Sequence, residues 1–219
     1  MFLLPIKDTP HSKVVTEMHQ ILENVWMWSE YQEDRGFCFN GFALVQSDNT
    51  VTVVDPVSMS PDAMAKLQGL GSRFEIVLLN ADHERESLAI SQALKAPIWA
   101  PKSDVALLRN TARIQTYGNG HFFGDDWEIK HLLGMKTPGE SVLYHARQGI
   151  LLVGDAILAD PAVGLRLVPK QKLKDPARAI KALAGLMDLS FQSLLCADGF
   201  QLLNGGKEAL SLFLARNQG

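Results

Sequence analysis

The segment FEIVLLNADHER, residues 74–85, joins an almost entirely apolar run to a cluster of polar side chains. The run over residues 74–79 predicts a strand that is buried on both faces, because such strands read as continuous hydrophobic stretches. The polar residues 80–83 then form a loop at the carboxyl end of that strand. Since a rigid scaffold presents its chemistry on such loops, this segment is the first candidate for a functional site.

Three further segments repeat this arrangement, in which a predicted strand ends in a loop of polar residues. The predicted strands cover residues 127–133, 149–153 and 194–197. Each of these strands is followed by a polar loop. Together with the loop of the first segment there are four polar loops, and these contain the candidate functional residues. The three additional loops are residues 136–140, 154–155 and 197–199.

The rest of the chain alternates predicted strands with predicted helices. Two β-prone segments, residues 37–46 and 50–57, flank a turn cluster and predict a hairpin. A helix is predicted from Pro61, after the capping residue Ser60, because proline suits the first helical position. Strands with helices occur twice in this order, which predicts a two-sheet sandwich with helices outside, as one continuous domain over residues 1–219. Further helices are predicted over residues 84–94, 103–110, 176–189 and 207–216.

The composition is that of an ordinary soluble globular protein, with 47% apolar and 21% charged residues among 219. The net charge of −3 argues against nucleic acid or an anionic membrane as a partner. No apolar run reaches the roughly 18 residues of a membrane span. Lys7 follows the short apolar patch at residues 2–4 too closely for a signal peptide. Cys38 and Cys196 are predicted to be free thiols, which indicates a cytoplasmic protein.

In order and spacing, the four loops resemble the landmarks of the metallo-β-lactamase superfamily over residues 37–200. The family pattern is Thr-His-x-His-x-Asp-His, then His-Thr-Pro-Gly-His, then Gly-Asp and finally Gly-His. Here the corresponding stretches read NADHER, KTPGE, LLVGD and LLCADG. The resemblance implies an α/β fold, the four-layer αββα sandwich, with the site at one edge between the two sheets.

We compared each metal-ligand position of the family pattern with the residue at the matching position of this sequence. At nearly every position this sequence has a different residue type. Only the aspartate after the third strand is kept, as Asp155, and His83 stands at a position that is not a ligand in the family. No histidine ligand therefore remains at a matching position. The family's histidines fall on Asn80, Asp82, Arg85, Lys136 and Asp198, and its first aspartate falls on Glu84.

This loss changes the metal chemistry that the resemblance implies. Zinc in a catalytic site usually takes imidazole nitrogen or thiolate ligands, and Lys136 and Arg85 add positive charge where a second metal would lie. A dinuclear zinc site is therefore not expected. The oxygen ligands could hold one hard cation, Mg²⁺, Mn²⁺ or Ca²⁺, or the site could hold no metal. The metal-ligand candidates are Asn80, Asp82, Asp155 and Asp198.

The charges at these positions also need compensation. Four acidic side chains face two basic ones at the positions that match the family's ligands. Acids of like charge that pack together raise one another's pKa unless something compensates. A divalent ion, a protonated His83 or a shared proton would each do so. We also expect Lys136 within salt-bridge range of Asp155 or Asp198, its ammonium replacing the charge of a metal.

Two functions fit this pattern. The first is a hydrolase of ester, thioester or phosphoester bonds, in which a single metal ion or the Lys136 ammonium polarises the substrate. Asp82 or His83 would act as the base, so the catalytic candidates are Asp82, His83, Lys136 and Asp155. The alternative is a non-catalytic relative that uses the former active-site cleft to bind a small ligand or a protein partner. The fold alone does not decide between them.

Two segments are predicted to shape the ligand pocket, residues 26–35 and residues 160–174. The second carries four basic side chains between residues 166 and 174, with apolar residues among them. A basic lip of this kind attracts an anionic substrate, whereas a solvated surface loop is the simpler interpretation. The expected partner is a small molecule, and the resemblance leaves a homo-oligomer open.

Overall fold

The computed structural model describes residues 15–109 and 114–217. Among these residues, seven strands form one sheet, here called the N-terminal sheet, and they lie side by side in chain order. They are β1 (His19–Leu22), β2 (Val25–Gln32), β3 (Phe37–Val45), β4 (Thr50–Val54), β5 (Arg73–Val77), β6 (Ile98–Pro101) and β7 (Ile114–Tyr117).

Later strands form a second sheet, here called the C-terminal sheet, and a short two-stranded ribbon. The C-terminal sheet contains β8 (Phe122–Phe123), β9 (Trp127–His131), β10 (Ser141–His145), β11 (Ile150–Val153) and β14 (Ser193–Cys196). The ribbon pairs β12 (Leu158–Asp160) with β13 (Gly164–Arg166). The helices are α1 (Pro61–Gln68), α2 (Ser87–Leu94), α3 (Pro176–Gly185) and α4 (Gly206–Asn217).

Apolar side chains from the two sheets form a shared core between them. Phe42 of β3 and Leu152 of β11 belong to this core. Their sequence neighbours Ala43 and Leu151 face the opposite way, toward the helices, because side chains alternate across a strand. A strand with both faces buried must be apolar throughout, which explains the continuous hydrophobic runs in the sequence.

The helices cover the outer faces of both sheets. Leu67 of α1 and Ile90 of α2 pack against the outward side chains of the N-terminal sheet. Leu183 of α3 and Leu210 of α4 pack in the same way against the C-terminal sheet. The layers are therefore helix, sheet, sheet and helix, and the predicted αββα sandwich is confirmed. Among the described residues, no helix is both long and apolar enough to cross a membrane.

Parallel strand pairs in each sheet direct the polar loops to one edge of the sandwich. In the N-terminal sheet β4 runs parallel to β5, and in the C-terminal sheet β11 runs parallel to β14. The carboxyl ends of parallel neighbours lie side by side, so the loops that follow them meet. Contacts between His83, after β5, and Asp155, after β11, place both pairs of ends at the same edge.

The segment after β14 ties the two sheets together at this edge. Asn40 of β3 donates its side-chain amide to the carbonyl oxygens of Cys196 and Gly199, both at 2.8 Å. Gly199 has a φ of 105°, and a Cβ at this position would lie 1.7 Å from the carbonyl oxygen of Ala159. The segment therefore requires glycine, both for its conformation and for its close approach to the ribbon.

Residues 26–35, predicted as a pocket loop, are mostly strand. Their aromatic and β-prone side chains suit β2, which pairs along its full length with β3. Trp28 is fully buried, and its Nε1 donates a hydrogen bond to the Val57 carbonyl oxygen at 3.0 Å. The turn between β2 and β3 is the part of this segment that borders the cleft, through Arg35.

The helix predicted from residue 84 begins later, at Ser87. The preceding residues Ala81–His83 form a 3₁₀ turn, and Arg85 then has a φ of 33°, which interrupts helical geometry. The α-helix predicted over residues 176–189 ends at Gly185 and continues as a 3₁₀ turn.

The helix predicted over residues 103–110 is a 3₁₀ turn at Val105–Leu107. Asp104 does not cap a helix there, because its carboxylate accepts the backbone N–H groups of Ala81 and Gly139. Its side chain thus joins two of the polar loops. Residue 110, the predicted end of that helix, and the apolar patch at residues 2–4 lie outside the described residues.

Candidate functional site

A lysine ammonium joins the two sheets at the edge where the polar loops meet. Lys136 lies in the loop between β9 and β10, and its Nζ is 2.6 Å from Asp82 Oδ2 and 2.8 Å from Asp155 Oδ2. The Asp155 side chain is 6% exposed, whereas that of Asp82 is 45% exposed. One cation therefore connects a buried carboxylate to an exposed one. The sequence predicted a salt bridge from Lys136 to Asp155 or Asp198, and the structure shows it with Asp155.

The ammonium and the buried carboxylate stabilise each other's charged forms. Burial lowers the pKa of Lys136, but the charges and hydrogen bonds of Asp155 and Asp82 outweigh burial and raise it overall. Burial raises the pKa of Asp155, but His83 and Lys136 outweigh burial and hold it far below its usual value. Lys136 and Asp155 are therefore an ion pair at neutral pH.

The imidazole of His83 extends the network into the protein interior. Its Nδ1 lies 2.7 Å from Asp55 Oδ2 and its Nε2 lies 3.4 Å from Asp155 Oδ1, and the side chain is 1% exposed. Burial and the charge of Arg85 lower the pKa of His83, but Asp55 and Asp155 outweigh them and raise it to about 10. At neutral pH the ring is therefore a cation with a proton on both nitrogens.

Asp55 follows β4 and orients this ring. Its Oδ1 accepts the backbone N–H of Leu79 at 2.8 Å, while its Oδ2 faces the imidazole. The backbone of Asp55 has a φ of 47°, in the left-handed region that a residue other than glycine seldom adopts.

A second ion pair lies beside the first. Arg85 Nη2 is 2.5 Å from Asp198 Oδ1, and the guanidinium lies 4.3 Å from the ring centre of Phe39. Burial raises the pKa of Asp198, and the charges of Arg85 and His83 reduce that increase without cancelling it. The aromatic face and the carboxylate together hold the guanidinium of Arg85 in place.

Two fully buried polar side chains lie beneath these ion pairs. Asn80 Oδ1 accepts the backbone N–H of His83 at 3.1 Å, which begins the 3₁₀ turn. Glu140 Oε1 accepts the backbone N–H of Ala156 at 3.1 Å. Burial, followed by the negative charge of Asp155, raises the pKa of Glu140 well above its usual value and favours the protonated carboxyl.

A cleft of about 240 Å³ opens beside the ion pairs. Its apolar lining includes Phe37, Leu158 and Val168. The segment 160–174 was predicted to shape the pocket, and it contributes part of this lining, including Arg166 and Lys172. The charged lining consists of the cations Arg35, Lys136, Arg166 and Lys172 and the carboxylates Asp155 and Asp198.

Residues 18–216 match the family model described as the metallo-beta-lactamase superfamily. The chain belongs to the metallo-β-lactamase superfamily. The resemblance seen in the four loops is thereby confirmed. A search of curated proteins found no significant relative.

Solved metallo-β-lactamase structures have the same fold. The enzyme from Pontibacter korlensis has a TM-score of 0.74 and 15% identity, covering 93% of this chain and 99% of that one. FIM-1 from Pseudomonas aeruginosa in its mono-zinc form has a TM-score of 0.67 and 17% identity, covering 97% and 98%. DIM-1 exposed to ceftazidime has a TM-score of 0.74 and 15% identity, covering 93% and 99%. Identities this low show a shared fold alone.

In this superfamily member, the four catalytic candidates form one continuous chain of contacts. Asp82 contacts Lys136, Lys136 contacts Asp155, and Asp155 faces His83. The exposed end of this chain is Asp82 and the buried end is His83. Solvent therefore reaches Asp82 and part of Lys136 but not the imidazole.

The metal-ligand candidates are only partly brought together. One donor atom each from His83, Asp155 and Asp198 lies within 4.8 Å of the others. This group contains His83, which the sequence-based ligand set did not include. Asn80 is fully buried, and its side-chain oxygen already accepts the His83 N–H.

Three residues that the candidate list did not contain take part in the site. Asp55 holds His83, while Arg35 and Phe37 line the cleft. A charged residue directly after the β-branched run of β4 is a signal that would have found Asp55, because an acid at the end of a buried strand needs a partner. Arg35 belongs to the segment 26–35 that was predicted to shape the pocket, but no local pattern in the sequence distinguishes it from other surface arginines.

Proposed function

We propose that this metallo-β-lactamase-fold protein works without a metal ion and uses its cleft to bind a small molecule. One observation carries the proposal. Each carboxylate among the candidate metal ligands already has a cation of the chain as its partner, since Lys136 contacts Asp82 and Asp155, and Arg85 contacts Asp198. The chain's own cations thus supply the positive charge that a metal would supply.

Electrostatic repulsion opposes a metal ion at this position. Two unit charges 4 Å apart repel by about 4 kcal/mol at an effective dielectric constant of ~20, and a divalent ion doubles this to about 8 kcal/mol. A divalent ion would therefore have to displace Lys136 or Arg85 from its partner before it gained a ligand. The donor set does not fit a metal ion while both cations are in place.

The nitrogen donor of the site supports the same conclusion. Zinc sites in proteins usually include imidazole or thiolate ligands. Both ring nitrogens of His83 face carboxylates, Asp55 on one side and Asp155 on the other. A protonated imidazole has no lone pair to give to a metal, so His83 completes an ion-pair network instead.

Binding fits the geometry better than hydrolysis. A general base must reach the proton that it removes and must be able to accept it. His83 is 1% exposed and its pKa is raised to about 10, so it does neither at neutral pH. The exposed carboxylate of Asp82 is paired with Lys136. Hydrolysis of an ester, thioester or phosphoester is the alternative that experiments must test.

Metal content tests the proposal directly. Protein purified without chelator should contain only traces of Mn, Fe, Zn and Mg by elemental mass spectrometry. EDTA and added divalent ions should leave its Tm unchanged. A stoichiometric metal that is lost in Asp155→Ala would overturn the proposal and restore the single-metal hydrolase.

A Lys136→Met variant gives a sharper test because it removes the cation and leaves a side chain of similar length. The variant leaves the carboxylates of Asp82 and Asp155 without their lysine partner, so its Tm should fall in metal-free buffer. The vacated position lies between Asp82 and Asp155, so divalent ions should raise the Tm of the variant but not of the wild type. Lys130→Met, which removes an ammonium paired with Glu128 on β9, is the matched control. An unchanged Tm in Lys136→Met, with no metal response, would contradict the assigned role.

Hydrolysis is tested by assaying ester, thioester and phosphoester substrates with the wild type and with Asp155→Ala. We expect no turnover above that of the variant. Turnover that Asp155→Ala abolishes, while the variant stays folded, would support the hydrolase and count against a binding protein.

A further inference from the structure

We infer that the ligand of the cleft is a small organic anion, whose charged group lies among Arg35, Arg166 and Lys172 while its apolar part contacts Phe37. This inference rests on the proposed function and adds the chemical class of the ligand. It depends on which charges of the cleft are already neutralised inside the protein and which are not.

Both carboxylates that line the cleft already have cationic partners within the protein. Asp155 faces Lys136 and His83, and Asp198 faces Arg85. They are also nearly inaccessible, with side chains 6% and 4% exposed. A cationic ligand would therefore find no free carboxylate among the described lining residues.

Two cations at the rim of the cleft differ from these carboxylates, because neither forms a salt bridge among the described residues. Arg35 and Lys172 are exposed, and no carboxylate among residues 15–109 and 114–217 forms a salt bridge with either. Arg35 comes from the turn between β2 and β3, and Lys172 from the 3₁₀ turn after β13. Two uncompensated positive charges therefore line one cleft from different segments of the chain, a setting that attracts an anion.

Arg166 adds a pre-positioned donor to this rim. Its Nε lies 2.8 Å from Asp160 Oδ2, and its guanidinium lies 5.7 Å from the ring centre of Phe37. These contacts fix the plane of the side chain and leave Nη2 without an acceptor among the described residues. A held guanidinium loses little freedom when it binds an oxyanion, and its bonds to charged oxygens are stronger than neutral ones.

The other lining residues and the volume of the cleft limit the size of the ligand and its apolar part. Phe37, Leu158 and Val168 line the cleft with a small apolar surface, since their exposed fractions are 7%, 5% and 6%. The cleft volume of about 240 Å³ lies below the roughly 300–1,000 Å³ of pockets that hold drug-sized ligands. A single ring or short chain with one anionic group matches this space. Carboxylates and phosphate monoesters share the anionic oxygens that the rim recognises.

Titration calorimetry and thermal shift with benzoate, phenyl phosphate, inorganic phosphate and uncharged benzamide test the inference. Benzoate or phenyl phosphate should bind and raise the Tm, and inorganic phosphate should bind more weakly because it lacks the apolar body. Benzamide should not bind. The stronger of the two aromatic anions identifies the headgroup as carboxylate or phosphate. Affinity should fall as salt rises from low to physiological concentration.

The double variant Arg35→Ala/Lys172→Ala should weaken anion binding by about tenfold or more, since each lost contact is a charge-assisted one. Lys174→Ala removes an exposed lysine of the same segment that does not line the cleft, and should bind like the wild type. Equal binding of benzamide and benzoate, or unchanged binding in the double variant, would overturn the inference.

Failure of this inference is distinguishable from failure of the proposed function. Anion binding that survives the double substitution but disappears after EDTA treatment would place the anion on a metal and overturn both. Absence of binding to every anion in a metal-free protein would overturn the ligand class and leave metal independence intact.

Discussion

Asp155 accepts a cation on each of its carboxylate oxygens, Lys136 on one and His83 on the other. Because an unpaired buried charge costs several kcal/mol, each of these three groups depends on the others for its ionised form. The arrangement explains how a carboxylate stays charged in a site without histidine ligands at the matching positions. Asp155, Lys136 and His83 were predictable from the sequence, since all three lie on loops after predicted strands, but the source of the compensating charge was not. That source depends on Asp55, which lies 28 residues before His83 in the chain.

The pKa of His83 makes a specific prediction about stability and pH. The folded value of about 10 lies above the usual 6.5, so folding takes up a proton at pH values between them. The stabilisation from Asp55 and Asp155, reduced by the nearby Arg85, is therefore fully present below about pH 6.5 and is lost as the pH rises through about 10. His83→Gln should be destabilised strongly at about pH 6 and much less at about pH 10 in urea unfolding.

The control for this experiment is His131→Gln, a partly exposed histidine of β9 outside the network. Its difference from the wild type should stay small at every pH. A His83→Gln penalty that grows as the pH rises would mean that the ring is neutral in the folded protein, contrary to the ion-pair network.

At Glu140 we expect a substitution to stabilise the protein, in contrast to the destabilisation expected at His83. The folded pKa of this carboxyl is raised well above 4.5, chiefly by burial and then by Asp155, so it costs stability increasingly as the pH rises above about 4.5. Glutamine has the shape of a protonated glutamate and carries no charge to bury. Glu140→Gln should be more stable than the wild type by about 1–3 kcal/mol at pH ~8 and similar to it near pH ~4, measured by urea unfolding. Loss of stability at the higher pH would show that an ionised Glu140 is required.

At the scale of elements, buried apolar strands were predictable and short irregular turns were not. The strands β5, β11 and β14 were predicted from short runs of apolar residues, which two buried faces require. The 3₁₀ turn after Asp104 was predicted as a helix because Ser103–Asp104 has the composition of a helix start. Tertiary contacts prevail there, since Asp104 accepts N–H groups from two distant loops. Such contacts have no signature within one segment of sequence.

The connection between β14 and the ribbon predicts a strict requirement for glycine. Gly199→Ala would force a Cβ to 1.7 Å from the Ala159 carbonyl oxygen at a φ of 105°. Steric overlap with backbone and an unfavourable φ should together cost at least about 3 kcal/mol in unfolding free energy. Gly185→Ala is the control, because nothing lies within 4 Å of its added Cβ, and it should be neutral or stabilising by about 0.4–1 kcal/mol. Equal melting temperatures for the two variants would contradict this account.

At the scale of the whole molecule, the sandwich has three apolar cores, one between the two sheets and one under the helices on each side, and the site lies at one edge of the two sheets. The shared core between the sheets holds the two sets of strand ends together, so Lys136 from one sheet can meet Asp82 from the other. The order of strands and helices and the four loops were sufficient to predict the layers. The cleft was predictable in part, because the predicted pocket segments 26–35 and 160–174 both contribute to its lining, the first through Arg35 in the turn between β2 and β3.

The shared core predicts that the two sheets unfold together. Phe42→Ala removes a fully buried ring from this core and should lower the unfolding free energy by about 3–5 kcal/mol. Because strands of both sheets pack on that ring, amide hydrogen exchange should accelerate in β3 and in β10 by the same factor under native conditions. Leu212→Ala, on the exposed side of α4 at 60% exposure, should leave both rates nearly unchanged. Faster exchange in the N-terminal sheet alone would show that the sheets open separately, and the ion pairs across the edge would then be too weak to couple them.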